Sequence, residues 1–147
     1  MNLEQIHAEW KKDSHIDYNK LDVSSVETPK HHAKYLELLS TYKLKLKDAE
    51  FKQKELMKNK WLWYNGKLDQ QAIEKFNWDP DPFNGLKILK GEMQHYVEAD
   101  PELVVSEAKI AYLNNIIETL KDILDNLKWR HQTIRNAIEW KKFEAGF

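Results

Sequence analysis

The chain has 147 residues, 41% of them hydrophobic and 32% charged, with four glycines, four prolines, no cysteine and a net charge of −1. It is too apolar to be disordered, too poor in turn residues for a many-stranded sheet, and not basic enough overall to be a general polyanion binder, so an all-α protein is expected. The missing cysteines exclude disulfides, a thiolate nucleophile and Cys-based zinc, while the lack of a signal sequence or a membrane-length apolar run points to a cytoplasmic protein with no membrane role.

Residues 2–13 are expected to form a short helix, with Leu3, Ile6 and Trp10 on one side at i, i+3, i+7. A connector then runs to Thr28-Pro29, an N-cap residue followed by a proline whose absent N–H would go unsatisfied in any case. No Gly or Pro follows until Gly66, which predicts a helix of about 36 residues, roughly 54 Å long. Tyr35, Leu39, Tyr42, Leu46, Ala49 and Leu56 keep a 4-3 spacing and give it one apolar seam.

Residues 66–85 read as loop, because Asn65-Gly66, Asp79-Pro80-Asp81-Pro82 and Asn84-Gly85 are turn signals. The stretch from Asp79 to Gly85 superficially suggests a calcium loop. Phe83 stands at its fifth position and its glycine comes one place late, so it reads as a turn. A shorter helix is predicted from Leu86 to about Glu98. Asp100-Pro101 repeats the cap-plus-proline start, and the helix it opens runs about 43 residues, to Gly146.

That last helix carries a heptad pattern. Leu113, Ile117, Leu120, Leu124, Leu127, His131, Ile134 and Ile138 alternate steps of four and three, and Ile116, Ile123 and Ala137 widen the stripe by one column. A stripe this wide predicts self-association through Leu113, Ile116, Ile117, Leu120, Ile123, Leu124, Leu127, Ile134 and Ile138, as a trimer or larger ring. The plainer alternative packs this face only against the chain's own long helix. His131, at an a position, reads as a polar core or register residue and not as a ligand. Two parts are expected: residues 1–85, helical, and residues 86–147, helical and oligomerising.

Charge is unevenly distributed. Residues 30–67 hold ten lysines against four carboxylates, whereas residues 68–109 hold four lysines against nine carboxylates. Such asymmetry predicts one polyanion-facing surface and one that is not. Enzyme motifs are absent, so neither a catalytic site nor a cofactor is expected. Glu4-x-x-His7 and Glu92-x-x-His95 each place a carboxylate and an imidazole on one helical face, but no second glutamate pair accompanies them and no metal site is expected.

The segment from Lys54 to Lys67 is the candidate site. Lys54, Lys58, Lys60 and Lys67 are available to neutralise phosphates, and Trp61, Trp63 and Tyr64 to stack on unpaired bases, which makes residues 1–85 the expected DNA-binding part. The structural alternative is that the lysines meet the helix dipole and the three rings close the core.

Three stretches together resemble the UvsY family of phage recombination mediators. Lys11-Lys12-Asp13-Ser14-His15-Ile16-Asp17-Tyr18-Asn19-Lys20-Leu21 is similar to the family's K-K-D-x-x-I-D-x-x-K-L. Met57-Lys58-Asn59-Lys60-Trp61-Leu62-Trp63-Tyr64 resembles L-K-A-R-L-x-x-Y, and Phe143-Glu144-Ala145-Gly146 matches F-E-A-G. The resemblance implies a protein that binds single-stranded DNA, helps displace the phage single-strand-binding protein and loads a RecA-like recombinase in the host cell cytoplasm. It also implies a homo-oligomeric ring, a heptamer held by C-terminal helices. The family's basic DNA-binding pair falls on Lys58 and Lys60, with Lys60 in place of an arginine. The competing function is a scaffolding coiled-coil protein that binds only proteins.

Overall fold

The structure, a computed structural model, describes residues 1–147 and is built from helices alone. In chain order these are α1 (Leu3–Asp13), α2 (Leu21–Val26), α3 (Thr28–Tyr64), α4 (Gln70–Phe76), α5 (Met93–Glu98) and α6 (Pro101–Glu144). The two long helices match expectation. Two short helices, α2 and α4, fall inside segments read as connector and loop. The helix predicted over 86–98 shrinks to α5. Leu86 and Leu89 are exposed, so an extra turn there would bury no apolar face to offset the cost of Gly91 in a helix.

Thr28 does not act as an N-cap. Its hydroxyl donates back to the Ser24 carbonyl, and α2 leads into α3 through Glu27, itself in helical conformation. Asp100 does cap α6, its Oδ1 accepting the backbone N–H groups of Glu102 (3.0 Å) and Leu103 (3.2 Å).

The chain forms two compact units, Met1–Leu44 with Asn114–Phe147, and Lys45–Leu113. A cut between residues 85 and 86 follows sequence order, whereas these units interleave the chain, since α3 and α6 each contribute to both.

In the first unit α1 opens with a capping box, in which Asn2 and Gln5 exchange side chain and backbone N–H. Ile6 is fully buried, and Trp10 meets the buried ring of Tyr35 edge-on at 5.5 Å. The Tyr35 hydroxyl donates to Asp13 Oδ2 (2.9 Å), which also takes Lys34 Nζ (2.7 Å). Burial alone would raise the Asp13 carboxyl, but these hydrogen bonds and the nearby cations hold it below its ordinary value. Arg130, on α6, is buried and donates to the carbonyls of Asp13 (3.1 Å), the last residue of α1, and His15 (3.3 Å), just beyond it.

The heptad stripe is largely spent inside the chain. Leu113 is buried in the second unit, and Ile116, Ile117, Leu120, Ile123, Leu127 and Ile134 are buried in the first. These side chains are therefore corrected from an intersubunit seam to intrachain core. Of the nine, Leu124 is half-buried and Ile138 is exposed. His131 is also corrected: it is exposed, and the buried polar residue of this face is its neighbour Arg130.

Candidate nucleic-acid interface

The candidate segment occupies the last turns of α3 and the turn that follows it, in the second unit. A Schellman motif ends the helix: Lys67 N–H reaches the Leu62 carbonyl (2.8 Å) and Gly66 N–H the Trp63 carbonyl (3.1 Å). Gly66 sits at φ 70°, where a side chain would be strained. Helical periodicity then sorts the seven predicted residues onto different faces.

Lys60 points inward. It is 3% exposed, and its Nζ lies 3.1 Å from Asp100 Oδ2 and 3.3 Å from Glu102 Oε1. The same ammonium sits 4.1 Å from the ring centroid of Trp78 and 4.6 Å from that of Trp63. Two carboxylates and two indoles therefore enclose it, supplying the partners a buried charge requires. Tyr64 is buried beside it and donates its hydroxyl to Asp100 Oδ2 at 2.6 Å. Burial pushes the Tyr64 phenol upward, and the Asp100 carboxylate at the end of its hydrogen bond pushes it further. Burial would also raise Asp100, but bonds from Tyr64, Lys60 and the Leu103 N–H outweigh it and lower the carboxyl.

Trp63 is half-buried, and its Nε1–H donates to the Asp79 carbonyl (2.7 Å). Its ring packs against Tyr64 and Trp78 with centroids 4.8 and 5.2 Å apart. Trp78 in turn donates Nε1–H to Glu102 Oε1 (2.8 Å). The loop supporting these rings is tied by Asp81, which accepts the backbone N–H groups of Phe83 and Gly85. Leu56, Trp63, Phe83 and Met93 complete the core around Tyr64, Val97 and Leu103.

Lys54, Lys58, Trp61 and Lys67 remain exposed. The first three stand at i, i+4, i+7 on one face of α3, and Lys67 Nζ lies 5.1 Å from the Trp61 ring centroid. Continued toward the N-terminus, the same face carries Phe51, 64% exposed, and Lys47. Phe51 and Lys47 escape a search for clustered residues. The 47-51-54-58-61 spacing, with aromatic rings between lysines, is the signal that finds them. Nowhere in the molecule do three or more His, Cys, Asp or Glu side chains converge to hold a metal. No helix is long and apolar enough to cross a membrane.

Among known families, the one described as recombination, repair and ssDNA binding protein UvsY matches residues 9–147. The recombination protein uvsY of Enterobacteria phage T4 is 26% identical over 146 residues, covering 99% of each chain. Two crystal structures of the bacteriophage T4 recombination mediator protein UvsY share the fold, with TM-scores of 0.78 (lattice type II) and 0.79 (lattice type IV) at 23% and 22% identity. They cover 99% and 98% of this chain and 98% and 99% of their own.

Proposed function

This chain belongs to the UvsY family of recombination mediators, and we propose that it holds single-stranded DNA on the exposed face of α3, through Lys54, Lys58, Trp61 and Lys67. One observation carries the reading: lysines and an exposed indole alternate on a single solvent-facing stripe, with a further ring, Phe51, one step along it. Lysines release counterions from phosphates, and flat rings accept any base, so this chemistry favours a strand without demanding a sequence. Lys60, Trp63 and Tyr64 serve the same site from beneath, as the buried support of the stripe.

As a mediator the chain is a binding protein, not an enzyme. It loads a RecA-like recombinase onto strands covered by the phage single-strand-binding protein, in the host cytoplasm. Several copies form a ring, a heptamer as in its family, and sites on different copies engage one strand at high effective concentration. Its contacts between copies use what the chain leaves uncovered along α6, where Ile138 is exposed and Leu124 is half-buried.

Titration of a fluorescent oligo-dT into the wild type and into Lys54→Ala/Lys58→Ala tests the reading. The double variant should keep its helicity and lose at least tenfold in affinity. Unchanged affinity would favour a scaffolding protein whose lysines are only a solvated face.

A further inference from the structure

A cleft of about 420 Å³ opens beside Trp61, between the end of α3 and the segment leading into α5. Trp61, Asn65, Lys67, Lys90, Met93 and Gln94 line it, with buried Val97 at its base. Its volume falls within the roughly 300–1,000 Å³ of small-ligand sites. No lining residue is acidic, although residues 68–109 as a whole carry five more carboxylates than lysines. The acidic segment thus contributes one of its few lysines, Lys90, to the same cleft as Lys67.

Resting on the single-strand reading above, the geometry points to this cleft as the seat of one nucleobase of the bound strand. The base stacks on Trp61 against the thioether of Met93, and the adjoining phosphates meet Lys67 and Lys90. Each feature of the lining has a use in that arrangement. The indole is 46% exposed, so its face is open to a planar guest, and base stacking is the stronger competitor against an exposed cation–π contact. Lys67, whose ammonium lies over that ring, is displaced by the base and already stands next to the phosphate it then neutralises. Asn65 and Gln94 bring amide groups to the rim. Asn65 Nδ2 donates to the Trp61 carbonyl (2.7 Å) and Gln94 Nε2 to Glu98 Oε1 (3.1 Å), which orients both amides. Amides accept and donate, so they suit the polar edge of any base without selecting one.

Two strands of equal length separate base binding from phosphate binding: oligo-dT, and a strand of abasic deoxyribose phosphates. The wild type should bind oligo-dT on the order of tenfold tighter or more. Trp61→Ala should erase that preference, and Trp61→Phe should restore most of it. Lys90→Ala should weaken both strands alike and flatten the dependence of log K on log[salt] by about 0.7 per site. A Trp61→Ala variant that keeps the preference, or a Lys90→Ala variant with an unchanged slope, would overturn the nucleobase cleft and leave the α3 stripe standing, whereas equal affinity of the wild type for the two strands would overturn the cleft together with base stacking on the stripe. Failure to bind either strand would overturn both.

Discussion

Lys58 and Lys60 stand two residues apart on α3 and serve opposite sides of it. Lys58 is exposed, whereas Lys60 Nζ is held 3.1 Å from Asp100 inside a box of two carboxylates and two indoles. Two positions along a helix are about 200° of rotation, so a pair at i, i+2 cannot lie on one face. A basic motif of this spacing therefore combines a surface charge with a structural one.

Removing the structural charge leaves Asp100 buried without its cation. Lys60→Ala should destabilise the protein by roughly 3–5 kcal/mol, the range for breaking a buried pair from one side. Lys58→Ala should stay within about 0.5 kcal/mol of wild type. Urea unfolding followed by far-ultraviolet circular dichroism measures both. Equal stability of the two variants would count against the buried ion pair.

Asp100 also fixes the acid limit. Its folded pKa lies below the unfolded value of about 3.9. A depressed carboxyl contributes stability that is fully present above the unfolded value and is lost as pH falls through the folded one. Wild type should therefore lose stability below about pH 4, with Asp13 contributing in the same direction. Asp100→Asn should be less stable at pH 7 and show a shallower acid loss. A parallel pair of pH profiles would contradict this.

At the alkaline end the signs reverse. The Tyr35 and Tyr64 phenols are both raised, by burial first and then by the carboxylates that accept their hydrogen bonds. A raised group contributes stability below its unfolded value, about pH 10, and that stability is lost as pH rises through the folded value. Tyrosinate absorbance should accordingly fail to reach its full amplitude for six tyrosines until the protein unfolds. Full amplitude reached near pH 10 in the folded protein would place both hydroxyls in water.

Much of this was legible in the sequence, and the failures have specific physical causes. The long helices follow from the absence of breakers, and Asp100-Pro101 begins α6 as its residue types require. The 4-3 seam of Tyr35, Leu39, Tyr42, Leu46, Ala49 and Leu56, carried on by one step of four, lands on Lys60. The burial of that lysine was thus implicit in the spacing. It is missed when residues are grouped by nearness along the chain. The heptad on α6 misleads for a related reason. Burial follows the line Ile116, Leu120, Ile123, Leu127, Arg130, Ile134, which keeps the same alternation of four and three one column over, so the period alone does not say which columns are covered or by what. Arg130 was not legible at all, because its carbonyl partners at Asp13 and His15 lie more than a hundred residues away in sequence.

The same correction changes what a disruptive substitution does. Leu120 and Leu127 are 0% and 2% exposed within one chain, so Leu120→Asp/Leu127→Asp buries two unpaired carboxylates in its core. That variant should lose cooperative unfolding instead of dissociating into folded chains. Ile138→Asp, at an exposed position, should cost less than about 1 kcal/mol and lower the oligomer mass in analytical ultracentrifugation. A folded, dissociated Leu120→Asp/Leu127→Asp protein would return those leucines to an interface between copies.

The division of labour between Lys58 and Lys60 is tested most directly by the salt dependence of oligo-dT affinity in the two alanine variants, measured under conditions where both remain folded. A lysine on a phosphate contributes about 0.7 to the slope of log K against log[salt], and a lysine inside the protein contributes nothing. Lys58→Ala should flatten the slope by that amount per site, while Lys60→Ala should leave it at the wild-type value. An equal flattening in both variants would contradict the account, because it would put the Lys60 ammonium on the DNA and not on Asp100.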